Sequence, residues 1–240
     1  MSIERDIVLF FEFLFQGYCV YMYMSSLLKS KRSKTFSVIL FLCASVIEFA
    51  EYKLVAITLV NMGVFIFLTF ILCMICFDSK MIADLLHTFI ISAIFAMFEL
   101  LSIPFVNIAL SDNYIHTHSD VSEMIVSTVS KLFLFIFCKI IYKISEKEMT
   151  ITSSVYMFVI PVLSLLCELS ICCLADNVDI EKYNLVVAVC SVSLLVINMT
   201  VFGVHENFVK IANKTAELMM LEQKKELDYE YYKILQNNYD

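Results

Sequence analysis

The chain has 240 residues, 60% of them hydrophobic and 17% charged, with a mean hydropathy of +0.83 and a net charge of −7. A soluble domain carries about 25% charged residues. So much Phe, Leu, Ile, Val and Met cannot hide inside one globule, which excludes an ordinary soluble domain and requires an outer surface that faces lipid. Three Gly and two Pro leave little turn chemistry for a many-stranded sheet. Period-2 alternation is absent, and the apolar runs reach the length of spanning helices, about 20 residues. The expected fold class is all-α: a polytopic membrane protein.

The N-terminus reads as the start of a spanning helix. Glu4, Arg5 and Asp6 do not make a basic n-region, and the apolar run that follows is too long for a signal-peptide core. Seven spans are predicted: Ile7–Leu28, Thr35–Ala50, Leu54–Phe77, Met81–Leu110, Met124–Ile144, Ile151–Ala175 and Tyr183–Val204. Backbone polar groups in lipid must pair within their own segment, so each span is a helix. The charge bias sets orientation. With Lys29, Lys31, Arg32 and Lys34 inside, alternation also puts Lys80, Lys139, Lys143, Lys147, Lys210, Lys214, Lys224, Lys225 and Lys233 inside. Arg5, Lys53 and Lys182 are left outside, thirteen cations against three. The N-terminus is then outside and the C-terminus cytoplasmic, provided that the second and third spans form a hairpin.

After Val204 the composition turns polar and helix-favouring, with no Pro or Gly from His205 to Asp240. Phe208, Ile211, Thr215 and Leu218 follow a 4-3 spacing, and Leu227, Tyr231 and Ile234 resume it in a shifted register. That pattern predicts an imperfect cytoplasmic coiled coil that dimerises through Phe208, Ile211, Leu218, Leu227, Tyr231 and Ile234. The chain thus divides into a seven-helix membrane domain, residues 1–204, and a signalling and dimerisation helix, residues 205–240.

Ionisable side chains within spans are costly, so each is a functional candidate. They are Glu12, Glu48, Asp84, His87, Glu99, Lys131 and Glu168. Asp84 suits the dipole of a helix N-terminus. Glu99 and Lys131, on two helices joined by an outer loop, fall at similar depth and are expected to pair. Glu12, Glu48 and Glu168 also lie toward the outer ends of their spans, as an acidic, water-reaching outer cavity would require. Glu99, Lys131, Glu168 and Glu12 are therefore the ligand-binding or switching candidates. Pro104 and Pro161 can kink their helices and are the hinge candidates.

All nine cysteines fall inside apolar runs, where they act as small hydrophobes. Cys73-x-x-Cys76 has redox spacing but no βαβ context. His116 and His118 in an outer loop lack two further ligands at zinc spacing. No phosphate-cradling Gly loop, HExxH or G-x-S-x-G is found. A membrane Cys/His peptidase would draw on His87, His116, His118 and His205, none with a Cys near it in sequence; a pair in space stays open on that ground, and the peptidase is a minor alternative. Neither an enzymatic activity, a metal, a cofactor nor a nucleic acid is expected.

Several segments carry a resemblance. Ser130-Lys131-Leu132 early in the fifth helix, Ile160-Pro161 in the sixth, Leu194–Phe202 with Asn198 in the last span, and the linker-like Leu221–Asp240 are similar to the sensor region of peptide-pheromone histidine kinases. These are the accessory-gene-regulator and competence type, with GHKL-type kinase domains. In that family an R-H-D-x-x-x-N-H-like phospho-acceptor motif and an ATP-binding domain follow such a linker, and neither occurs within these 240 residues. The resemblance implies a homodimeric receptor in a bacterial plasma membrane. It would detect an extracellular peptide, pass the signal to a cytoplasmic helix and act with a full-length histidine kinase. A small multispan transporter with an incidental helical tail is the alternative from another class.

Overall fold

The computed structural model describes residues 2–55, 57–109, 119–144, 160–167, 170 and 180–239. Six named helices account for most of them: α1 (Ser2–Leu27), α2 (Lys34–Leu54), α3 (Thr58–Cys76), α4 (Met81–Ala109), α5 (Ser119–Ile144) and α6 (Ile180–Tyr239). Residues 160–167 form a further helical segment. No strand occurs among the described residues, only one isolated bridge between Ser30 and Phe77.

Four helical stretches are long and apolar enough to cross a membrane: Glu4–Leu27, Lys34–Leu54, Met81–Val106 and Val121–Lys143. Val60–Cys76 and Val186–Val201 are shorter apolar stretches. The sixth predicted span, Ile151–Ala175, lies largely outside the described residues. Large apolar side chains such as Phe11, Ile39, Ile47, Phe67 and Ile136 are exposed on the bundle exterior. That is the surface lipid would cover, and the chain has the build of a membrane protein.

Helices α1 to α5 close into a ring. α1 packs on α2, α2 on α3, α3 on α4, α4 on α5, and α5 back on α1. α1 and α5 run parallel, as shown by Arg5 against Glu123, Phe15 against Phe135 and Tyr23 against Phe137. α1 and α2 run antiparallel, with Phe10 on Phe49 and Tyr21 on Phe41. α6 lies outside the ring against α4. There Asn198 donates to Ser164 Oγ at 2.7 Å and joins α6 to the segment 160–167.

One end of the ring is solid. Val20, Tyr23, Met24, Leu86, Ile91 and Leu134 are all fully buried there, and Tyr23 Oη meets His87 Nδ1 at 3.3 Å. Two loops are tied together at this end. Lys31 N donates to Cys76 O at 2.9 Å, and Asp78 N donates to Lys29 O at 2.8 Å. The loop after α1 and the loop after α3 therefore share one end of the bundle, and α2–α3 form the hairpin that the charge alternation requires. Ser33 caps α2 by accepting from Phe36 N at 3.4 Å. The connection from α2 to α3 is tight, with Val55 N closing on Glu51 O at 2.8 Å. α3 accordingly starts at Thr58, and Leu54, predicted to open it, instead ends α2.

Glycine sets one helix contact. A Cβ built on Gly17 would lie 1.9 Å from Ser45 Oγ and 3.0 Å from Phe41 O. Small residues at such crossings let membrane helices approach closely enough for dispersion to hold them. Gly17→Ala should force the Ser45 hydroxyl off its bond to Phe41 O and lower the yield of monodisperse protein several-fold. Gly17→Ala with Ser45→Ala should recover part of that yield on size-exclusion chromatography.

The stretch predicted as the last span and the tail are one element. α6 runs 60 residues without interruption, about 90 Å at helical rise. The change of composition at Val204 does not interrupt the helix. Beyond it Ile211, Leu218, Leu227 and Tyr231 are all exposed along a single helix. Phe208 and Ile234 belong to the same helix.

Candidate functional site

The other end of the ring is hollow. A cavity of about 530 Å³ opens there, and all five ring helices line it. α1 contributes Arg5, Phe13 and Gln16; α2 contributes Glu48 and Glu51; α3 contributes Asn61 and Phe65. α4 supplies six lining residues, among them Ser92, Phe95, Ala96 and Glu99. The short side chains of Ser92 and Ala96 leave room for it. Ser127 of α5 and Leu165 complete the wall.

The rim carries two exposed ion pairs. Arg5 meets Glu123 at 3.1 Å, and Lys53 is paired with Asp6. Exposed pairs of this kind contribute little to stability. They align the ends of α1, α2 and α5.

Deeper in the wall sits a buried ammonium. Lys131, 4% exposed, donates to Ser127 Oγ at 2.6 Å and lies 3.7 Å from Glu12 Oε2. Ser127 in turn donates to Glu12 Oε2 at 2.6 Å, and Thr128 donates to Glu12 Oε1. The rings of Phe13 and Phe95 stand 5.7 and 5.8 Å from the ammonium. The expectation that Lys131 pairs with Glu99 is thereby corrected: its carboxylate partner is Glu12. The parallel neighbour α1 brings Glu12 to the right depth and the right side of α5. Glu99 lines the cavity and makes no ion pair with any described residue.

Three carboxylates remain. Glu51 accepts from the Asn61 amide at 2.7 and 3.1 Å, with the amide orientation assigned from its hydrogen bonds. Glu48, 7% exposed, and Glu99 make no hydrogen bond or ion pair with any described residue. Gln16, 3% exposed, is likewise unpartnered among the described residues.

Of the sequence candidates, Glu48 and Glu99 line the cavity, while Glu12 and Lys131 pair behind its wall at the same end of the bundle. Glu168, His116 and His118 lie outside the described residues. Pro104 is buried inside α4, which continues through it, and Pro161 is buried in the segment 160–167. Asp84 stands in the first turn of α4, where Ser79 donates to it. Among the described residues the cysteines are free thiols, Cys73 and Cys76 included. No cluster of three His, Cys, Asp or Glu there could hold a metal ion.

Sequence reasoning missed Gln16, Ser127 and Thr128. Their signal was periodicity: Gln16 follows Glu12 by four residues, and Ser127 precedes Lys131 by four, so each pair shares a helix face. A search restricted to ionisable side chains passes over them. Comparison with family models, with curated proteins and with solved structures finds no match for the chain.

Proposed function

We propose that the chain is the membrane sensor module of a two-component, quorum-sensing-like system. It receives an extracellular peptide in the cavity and passes the signal to α6 in the cytoplasm of a bacterial cell. One observation carries this reading. α4 borders the cavity with six residues and also packs against α6. A ligand that repositions α4 therefore acts on a helix 60 residues long, which reaches well beyond a bilayer about 30 Å thick. The partners on this reading are the peptide, a second copy of the chain along the tail and a full-length histidine kinase. A ligand can bias such a helix only by binding its two arrangements unequally.

The test needs no natural ligand. Ala96→Cys, in a background stripped of native cysteines, is alkylated with a bulky maleimide that fills the cavity. A spin label at Leu218 of α6 is read by distance measurement against a second label at Phe36 at the start of α2. A shift in that distance on alkylation is expected. A distance distribution unchanged by filling the cavity would remove the coupling and favour a transporter or another multispan protein.

Orientation has its own test. Cysteines at Ser119 and Asn177 should react with an impermeant thiol reagent in intact cells, and one at Ser33 should not. Labelling at Ser33 from outside reverses the topology.

A further inference from the structure

The cavity wall shows how this protein holds an ammonium. Lys131 sits against one carboxylate, one side-chain oxygen and two phenyl faces. Its positive charge is met by Glu12 and by the negative faces of Phe13 and Phe95, an arrangement that gains strength when water is excluded. Those two rings and Phe65 also line the open volume.

A similar set of side chains recurs in that volume. Glu48 is more than nine-tenths buried, lines the cavity and has no partner among the described residues. Gln16 is in the same condition and offers a carbonyl oxygen. The charge around them is not balanced. Among the described residues, Arg5 is engaged by Glu123 and Lys131 by Glu12, while Glu51 takes a neutral amide and Glu48 and Glu99 have no ion pair. Neither the Glu48 carboxylate nor the Gln16 amide is sealed off from the cavity, so both are open to a ligand's donors. A charged donor bonds a carboxylate about twice as strongly as a neutral one, so a cationic ligand gains most there.

We propose that the cavity binds an organic cation, a primary ammonium or guanidinium on an apolar body. Glu48 is its counter-ion, Gln16 is its second acceptor, and the phenyl rings enclose the apolar part. An inorganic divalent ion fits less well. Calcium takes six to eight oxygen ligands, and the walls here are largely aromatic and aliphatic. Glu99 is the secondary carboxylate, because it is exposed where Glu48 is buried, and its charge is the better screened of the two. On the sensor reading this group would be an N-terminal ammonium or a basic side chain of the peptide. The inference rests on that reading only in taking the cavity as the ligand site.

The experiment measures binding directly, with no readout from α6, so its failure is distinct from a failure of signalling. The full chain is placed in nanodiscs of zwitterionic lipid, which do not themselves attract cations. Binding of labelled phenethylammonium is followed by equilibrium dialysis, with empty nanodiscs subtracted. Saturable binding is expected. The neutral isostere 2-phenylethanol should compete about tenfold or more less effectively, the scale of a hydrogen bond to a charged group. The anion 3-phenylpropanoate should not compete. Glu48→Gln should abolish the preference for the ammonium over the alcohol, and Glu99→Gln should reduce it less. No saturable binding, equal competition by the alcohol, or an undiminished preference in Glu48→Gln would overturn the inference. If Glu48→Gln does not fold, the ammonium-to-alcohol ratio of the unaltered protein decides alone.

Discussion

Lys131→Ala should cost most of the folded protein. The side chain is 4% exposed, and its removal strands Glu12, itself 8% exposed, with two hydroxyls in place of a counter-ion. Breaking a buried pair from one side costs about 3 to 5 kcal/mol. That is a large fraction of a total stability of about 5 to 15 kcal/mol. Glu12→Gln should cost less, because the amide carbonyl still accepts from Ser127 and Thr128, although Lys131 then loses its counter-ion. Removing both charges in Glu12→Gln with Lys131→Leu should restore much of the yield, since the expense lies in one lone charge. The charge swap Glu12→Lys with Lys131→Glu should recover more folded protein than Glu99→Lys with Lys131→Glu. Detergent-extracted, monodisperse protein is the quantity to compare. Strictly additive losses at positions 12 and 131 would mean that the two side chains are not coupled.

The identity of that partner shows what a single sequence conveys about a membrane bundle. Depth is legible: counting from charged loops put Glu12, Glu48, Glu99 and Lys131 toward one end, and the cavity is at that end. Which helix lies beside which is not. The loop between α4 and α5 makes Glu99 the natural guess for Lys131, but α1, remote in sequence, runs parallel to α5 and presents Glu12, Arg5 and Phe15 to it. The α2–α3 hairpin, a condition of the charge count, is formed. The close approach at Gly17 was not legible, because nothing local marks a glycine as facing another helix. Nor does the change of polarity at Val204, which divides the chain in composition, show whether the helix runs through it unbroken.

The tail should self-associate in parallel, and disulfide cross-linking should read its face. Ile211, Leu218 and Leu227 are 65%, 59% and 67% exposed in one copy, which no isolated water-facing helix needs. Burying such a side chain between two copies is worth about 1.5 to 3 kcal/mol. The bilayer also raises the local concentration by fixing both tails at one surface. In a cysteine-free background, single cysteines at Ile211, Leu218 and Leu227 should cross-link several-fold more than one at Glu217. Glu217 lies one residue from Leu218, about 100° around the helix at 3.6 residues per turn. A partner helix packed on the stripe would not reach it. The shift of register between Leu218 and Leu227 adds a second expectation. Cross-linking should weaken from Glu222 to Glu226, where the stripe turns away, and return at Leu227. Uniform weak cross-linking from Ile211 to Leu227 would show two tails that never meet, and would leave α6 without the dimeric output that the sensor reading requires.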